Sequence, residues 1–328
     1  MKKRVLTGLQ PTGVITLGNY IGAIKQFITY QEEYEMFVFI ADLHSLTLPI
    51  DPKELRQNTK DLISIYLACG LDPEKVVLFK QSDVHEHAEL GYIMACNSNM
   101  GELSRMTQYK DKTAKIGNNE SIPTGIYIYP TLMAADILLY DPDYIPVGVD
   151  QKQHVELTRD LAIRFNSRYS DTFKVVEPVT AKTGAKINSL ANPNKKMSKS
   201  ESDKGTIYLL EDLAITRKKI MSAVTDSDTS IVYDVENKPG ISNLLTIMSV
   251  LTNESIESMV ERFNGQGYGT FKKAVADVVC AELEVLQAKV KEIQASGIID
   301  KVLEDGAMKA SYVARKKLSK VYRKVGLR

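Results

Sequence analysis

The stretch Thr7-Gly8-Leu9-Gln10-Pro11-Thr12-Gly13-Val14-Ile15-Thr16-Leu17-Gly18-Asn19-Tyr20 constrains the fold of this chain more than any other. Residues 4–9, which lead into it, are apolar enough for a central strand. Residues 18–34, which follow, carry Tyr20, Ile21, Ile24, Phe27 and Ile28 at helical spacing. Between the two, Pro11, Gly13 and Gly18 forbid a continuous element and let backbone approach a ligand closely. A strand that turns sharply into a helix aims unpaired N–H groups at one point, which suits a phosphate or a purine nucleotide. Neither G-x-G-x-x-G after the strand nor G-x-x-x-x-G-K-[ST] anywhere is present. The turn carries Thr16-Leu17-Gly18-Asn19 instead, four residues that by themselves also fit a plain helix start.

The rest of the first half repeats the strand-then-helix rhythm. Apolar strand patterns lie at 36–46, 76–80 and 144–148. Asp51-Pro52-Lys53-Glu54 opens a helix with an Asp N-cap and Pro at the first position, and Gly70 ends it. Further helices are expected over 85–97, 102–109, 126–140 and 150–169, with a polar loop over 110–124. This alternation predicts a doubly wound α/β domain, Rossmann-like, with a parallel sheet covered on both faces and a site at the strands' C-terminal ends. Residues 191–205 are polar and lysine-rich. Beyond 209 nearly everything has helical period, with helices expected at 213–224, 242–251, 255–263, 268–295 and 308–325.

Composition narrows the class. The 328 residues are 44% hydrophobic and 25% charged, with a net charge of +1, which argues against a chain that coats nucleic acid indiscriminately. No apolar run approaches the ~20 residues of a membrane helix. Cys69, Cys96 and Cys280 are far apart in apolar helical surroundings and read as reduced core residues of a cytoplasmic protein.

Lys196-Met197-Ser198-Lys199-Ser200 is the second strong signal. It reads either as a solvated loop between domains or as a flexible grip on a triphosphate. The five residues match the KMSKS signature of class I aminoacyl-tRNA synthetases, and Thr16-Leu17-Gly18-Asn19 looks like the T-I-G-N form of their HIGH motif. The chain resembles the bacterial tryptophanyl-tRNA synthetases over essentially its whole length. Matching blocks include Gln10-Pro11-Thr12-Gly13, Tyr129-Pro130-Thr131-Leu132-Met133-Ala134-Ala135-Asp136, Pro146-Val147-Gly148-Val149-Asp150-Gln151 and Lys238-Pro239-Gly240-Ile241-Ser242-Asn243.

The resemblance implies a Rossmann-like catalytic domain over 1–194 with a helical insertion at about 85–125. The KMSKS loop would span 195–206, and an all-helical anticodon-side domain 207–328, its last helix packing back on the first domain. It also implies a homodimer paired through helices between 85 and 109. The implied reaction joins tryptophan to ATP, releasing pyrophosphate, and then passes the acyl group to tRNA(Trp). The substrate carboxylate attacks the α-phosphate, so catalysis reduces to positioning and charge stabilisation. Magnesium would ride on the ATP phosphates, and no residues are expected to hold a metal of their own.

Carried over by position, Gln10, Pro11, Thr12, Gly18, Asn19, Gly148, Val149, Asp150, Ile187, Lys196, Met197, Ser198, Lys199 and Ser200 would bind ATP. Thr16, Asn19, Lys112, Lys196 and Lys199 would carry catalysis. Asp136 would accept the indole N–H, with Leu6, His44, Tyr129, Met133, Ile145, Val147 and Gln151 around the amino acid. A carboxylate amid Leu-Met-Ala-Ala and Ile-Leu-Leu is costly to bury without a donor, whereas Met133 and Ile145 fit plain core equally well.

Some positions depart from the family pattern. Leu6 stands for an aromatic residue, Thr7 for Ser, Lys186 and Asn188 for Arg and Met, and Glu201 for Asp. A tyrosine enzyme of the same subclass is the nearest rival, with Gln expected where Met133 stands. A catalytically dead tRNA-binding relative would not need Asn19, Lys196 and Lys199, and a small nucleotidyltransferase would not need the helical half. His85-Glu86-His87 reads as a solvated helix start. The basic end of the chain, with Met308, Tyr312, Leu318, Val321 and Val325 as one apolar stripe, reads as a solubilising helix or a tRNA-facing one.

Overall fold

The computed structural model describes residues 2–116, 122–148, 151–177, 179–180, 185–197 and 204–327. Strands β1 (Arg4–Leu9), β2 (Glu35–Ile40) and β3 (Val76–Lys80) form a parallel sheet in that order, in register from Arg4↔Glu35 and Met36↔Val76 onward. The middle strand, β2, is buried from Met36 to Ile40, as expected of a strand covered on both faces. Alternate side chains serve two cores. Val5, Met36, Val38, Ile40, Val76 and Leu78 face one apolar cluster, and Leu6, Phe37, Phe39 and Phe79 face the other.

Helices α1 (Leu17–Asn19) and α2 (Lys25–Glu33), joined by a π-turn over Tyr20–Ile24, carry the chain from β1 to β2. Helices α3 (Asp42–Ser45) and α4 (Pro52–Ala68) carry it on to β3. Asp51 caps α4 as expected, accepting from the N–H groups of Lys53 and Glu54. Helices α5 (Glu86–Asn97), α6 (Met100–Ser104), α7 (Thr107–Ile116) and α8 (Thr124–Leu138) then take the chain to the second face. There it returns beside β1, where Tyr144 bridges Val5 in parallel. Strand β4 (Pro146–Val147) follows and pairs in parallel with β5 (Val179–Thr180), across α9 (Lys152–Tyr169). The strand order thus reverses between β1 and β4, the place where open α/β sheets bind ligands.

Helices α10 (Leu213–Met221), α11 (Pro239–Thr252), α12 (Ile256–Arg262), α13 (Gly267–Ser296) and α14 (Ile298–Val325) complete the chain. The buried side of α13 joins the first apolar cluster together with α4. No helix among the described residues is long and apolar enough to cross a membrane.

Helix α14 passes from one core to the other around β3, the outer strand of the described sheet. Ile299, Val302 and Leu303 belong to the first cluster, and Ala310, Ala314, Leu318 and Val321 to the second. At the crossing stands Gly306, so close to β3 that a Cβ there would lie 1.8 Å from the Leu78 carbonyl oxygen.

Several expectations need correcting. Helix α14 begins ten residues earlier than its pattern suggested, and Met308 and Tyr312 are exposed (60% and 64%). Its inner face is built from small residues, Gly306, Ala310 and Ala314, which apolar counting undervalues. The basic residues of α14 are partly structural, because Arg315 pairs with buried Glu86 and Lys317 with Asp141. Residues 110–116 continue α7 rather than forming a loop. Nothing before Gly117 breaks the helix, and Tyr109 packs edge-on against Tyr127 of α8. Cys96 is exposed, not core, whereas Cys280 is buried.

Candidate functional site

Two cavities adjoin at the reversal point between β1 and β4. The first, about 300 Å³, contains every residue expected around the amino acid: Leu6, His44, Tyr129, Met133, Asp136, Ile145, Val147 and Gln151 all line it. The second, about 500 Å³, is lined by Gly18, Asn19, Gly148, Ile187 and Lys196 from the expected nucleotide set. Thr7, Pro146, Val147 and Gly148 belong to both. A larger groove of about 960 Å³ between Lys80 and α14 holds none of the expected residues. Its lining mixes Lys80, Arg315, Lys316 and Arg323 with Asp83, Asp300 and Glu304, so neither its chemistry nor its place matches the signatures.

Asp136 dominates the first cavity. Helix α8 is apolar on nearly all sides and therefore buried, which takes Asp136 to zero exposure. Its Oδ2 accepts from His44 Nε2 at 2.8 Å, and its Oδ1 from Gln81 Nε2 at 2.7 Å and His87 Nδ1 at 2.6 Å. Burial alone would push the carboxyl up. The hydrogen bonds from His44 and His87 outweigh burial and hold it at about 2. The cavity therefore ends on an ionised, acceptor-only group. His44 sits just past the C-terminal end of β2 and packs edge-on against the Tyr129 ring, while the Tyr129 hydroxyl meets His154 Nε2 at 2.7 Å. Leu6, with no aromatic ring to offer, is buried in the wall beside Phe37 and Phe39.

On the nucleotide side, the two signatures come into contact. Thr16 and Asn19 form a reciprocal cap: Asn19 N–H donates to Thr16 Oγ1 at 3.1 Å, and Thr16 N–H to Asn19 Oδ1 at 3.2 Å. Thr16 is fully buried and opens onto neither cavity, so its role is to hold Asn19. With Oδ1 engaged in the cap, the NH2 end of Asn19 is left to present donors to the second cavity. Leu17 N–H and Leu209 N–H tie this turn to the segment after the KMSKS loop, through Ile207 O and Ile15 O, both at 2.9 Å. Gly18 suits the close approach of Met197, whose Cβ would stand 3.3 Å from a Cβ at that position. Met197 itself is buried against this contact, and Lys196 next to it lines the cavity.

Not all of the expected set converges. Gln10 lines the first cavity rather than the second, and Pro11 and Thr12 line neither. Val149, Asp150, Ser198, Lys199 and Ser200 lie outside the described residues, as does the Lys112 side chain, whose backbone is on α7. The reading of His85-Glu86-His87 as solvated is overturned, since Glu86 and His87 are buried. No three metal-binding side chains are grouped among the described residues. His87 was findable from its spacing, because Val84, Leu90, Gly91 and Met94 share its helix face. Asn243 was missed too. It exchanges hydrogen bonds with the Asn188 backbone at 2.9 and 3.0 Å and fixes the segment leading into the KMSKS loop.

An acceptor-tipped apolar cavity that shares a wall with a nucleotide-sized one, closed by HIGH-type and KMSKS-type segments in contact, defines an aminoacyl-adenylate-forming site of class I. The family model for tRNA synthetases class I (W and Y) matches residues 1–284, and the chain belongs to that family. Within it, the chain is 51% identical over 326 residues to the Tryptophan--tRNA ligase of Caldanaerobacter subterraneus subsp. tengcongensis, covering 99% of this chain and 98% of the relative. The tryptophanyl-tRNA synthetase of Mycoplasma pneumoniae superposes with a TM-score of 0.85 at 41% identity, over 99% of this chain and 98% of the other. That of Campylobacter jejuni, complexed with ADP and tryptophan, gives 0.88 at 38% identity, over 98% and 99%.

Proposed function

We propose that this protein is a tryptophan–tRNA ligase that activates L-tryptophan with ATP and transfers it to tRNA(Trp). The observation that carries the assignment is the ionised Asp136 at the end of the first cavity. The indole N–H is the one polar handle on the tryptophan side chain, and it is donor-only. An apolar slot with Met133 in its wall and one acceptor at its far end selects that side chain.

With the indole seated, the amino acid's carboxylate points toward the wall shared through Thr7 and Gly148, where it meets the α-phosphate of ATP in the second cavity. Asn19 and Lys196 donate to the phosphates, and Lys199 and Lys112 are assigned to join them at the leaving pyrophosphate. Positive charge from these lysines, set against the negative charge gathering on the departing pyrophosphate, is the main assistance, as no protein nucleophile takes part. Mg2+ rides on the phosphate oxygens, the hard ligands it prefers. The protein is assigned to the cytoplasm.

Amino-acid-dependent ATP–pyrophosphate exchange across the standard amino acids tests the reading. Tryptophan is expected to support exchange, with tyrosine and phenylalanine at least about a hundredfold less efficient. Tyrosine exchange equal to tryptophan exchange would overturn it.

We also assign a homodimer paired through the helices around α5. Tyr92 on α5 and Met100 on α6 are each 73% exposed, and Ile128 on neighbouring α8 is exposed as well. Apolar side chains left open on adjacent helices are the usual mark of an interface. Analytical ultracentrifugation at micromolar concentration should give twice the 36.6 kDa chain mass. A monomer active in tRNA charging would refute the pairing.

A further inference from the structure

The Asp136 carboxylate has four lone-pair positions, and the described residues fill three of them. Gln81 and His87 take both positions on Oδ1, and His44 takes one on Oδ2. The fourth is on Oδ2, the oxygen shared with the cavity-lining His44. None of the three donors comes from α8: His44 follows β2, Gln81 follows β3, and His87 opens α5.

We propose that His87 and Gln81 are positioning residues for substrate selection, occupying Asp136 Oδ1 so that a single acceptor position on Oδ2 faces the ring N–H of the amino acid. The inference rests on the tryptophan reading of the cavity and adds the groups that make it selective. Two further features support it. Tyr140 Oη lies 2.8 Å from His87 Nε2, and burial, with the Asp136 and Glu86 charges, pushes that phenol well up, so it remains an O–H donor. His87 Nδ1 faces the acceptor-only carboxylate at 2.6 Å and so carries a ring proton pointing at it, which leaves Nε2 of the neutral ring to accept from the Tyr140 hydroxyl. Gln81, for its part, turns its NH2 to Asp136 and leaves Oε1 buried without a hydrogen-bond partner among the described residues. A buried acceptor left unpaired works against stability, so the orientation is explained by the donor it supplies to Asp136. Neither His87 nor Gln81 lines the cavity, so both act through Asp136 rather than on the substrate.

The test uses exchange kinetics with tryptophan and with its isostere in which sulfur replaces the ring N–H (3-benzothienyl-alanine). Wild-type protein fixes the reference ratio of kcat/KM for the two. His87→Leu is expected to raise KM for tryptophan about tenfold, the effect of misplacing one hydrogen bond to a charged acceptor. KM for ATP and kcat should stay within about twofold, and the preference for tryptophan over the isostere should fall by the same factor of about ten. His87→Asn places an amide donor near the Nδ1 position and should restore the preference to within about threefold of wild type. Tyr140→Phe and Gln81→Met preserve shape and volume and should each lower the preference about threefold or more, which decides the matter if His87→Leu does not fold. Unchanged preference in a folded His87→Leu, or in both milder variants, would overturn the proposal. A wild-type protein indifferent to the ring N–H would instead overturn the tryptophan reading of the cavity.

Discussion

Alanine at position 136 is expected to cut kcat/KM for tryptophan a hundredfold or more while loosening the fold. The substrate loses a hydrogen bond to a charged acceptor, worth roughly 1.5–3 kcal/mol, or ten- to hundredfold. Nor does the loss end at the substrate. His44, Gln81 and His87 each direct a donor at this carboxylate at 2.8 Å or less. Without it, three buried donors are unpaired, at about 1–3 kcal/mol each where no water replaces the partner. His44 is part of the cavity wall, so its release also spoils the slot. Asparagine should be little better for the substrate, because its NH2 end brings a donor to a place already surrounded by donors. Exchange kinetics combined with thermal unfolding should show KM for tryptophan rising, KM for ATP little changed, and Tm lowered. An Asp136→Ala protein of normal efficiency would remove the basis of the substrate assignment.

A methyl group at Gly306 is expected to be nearly as damaging, and for a reason unconnected to chemistry. A Cβ there would lie 1.8 Å from the Leu78 carbonyl oxygen and 2.6 Å from its carbon. These are backbone atoms inside the parallel sheet and cannot swing aside. Helix α14 would have to move outward by more than an ångström, opening both cores that it links. Overpacking typically costs about 1–3 kcal/mol, and here the upper end or beyond is expected. Gly306→Ala should show a clear fall in the denaturation midpoint. Gly269→Ala, where no neighbour stands within 4 Å, is the control and should be within about 0.5 kcal/mol of wild type. Equal stability of the two variants would show that α14 does not sit where the crossing places it.

The parts of the molecule legible in the sequence are those with local causes. The Asp51 cap, the strands at β1 and β3, and the sharp turn before Thr16 follow from residues within one or two turns of each other. Asp136 was legible because a lone carboxylate in an apolar helix demands a partner, yet its partners were not. His44 comes from the connection after β2, and Gln81 and His87 from the one after β3, and a linear pattern carries no trace of their convergence on α8. His87 shows the same limit from the other side: its neighbours His85 and Glu86 suggested water, while its helix face leads to the core. The role of Thr16 shifted similarly, since the sequence shows a small hydroxyl in a signature but not that the hydroxyl is turned inward to cap Asn19. Helix α14 escaped because its packing relies on the absence of side chain at Gly306 and on alanines.

The crossing of α14 over β3 also has a consequence in time. The three paired strands are complete once Lys80 has been made, but the backbone of β3 on its outer side stays uncovered until Gly306 is in place. At roughly 5–20 residues per second, that interval lasts about 10–45 s on the ribosome. During it the nascent chain offers a bare strand edge, Val-Val-Leu-Phe in sequence, of the sort that pairs readily with other chains. The last long helix thus ends the period in which the growing chain is most prone to associate with its own copies, and holdase chaperones have most to do before it emerges.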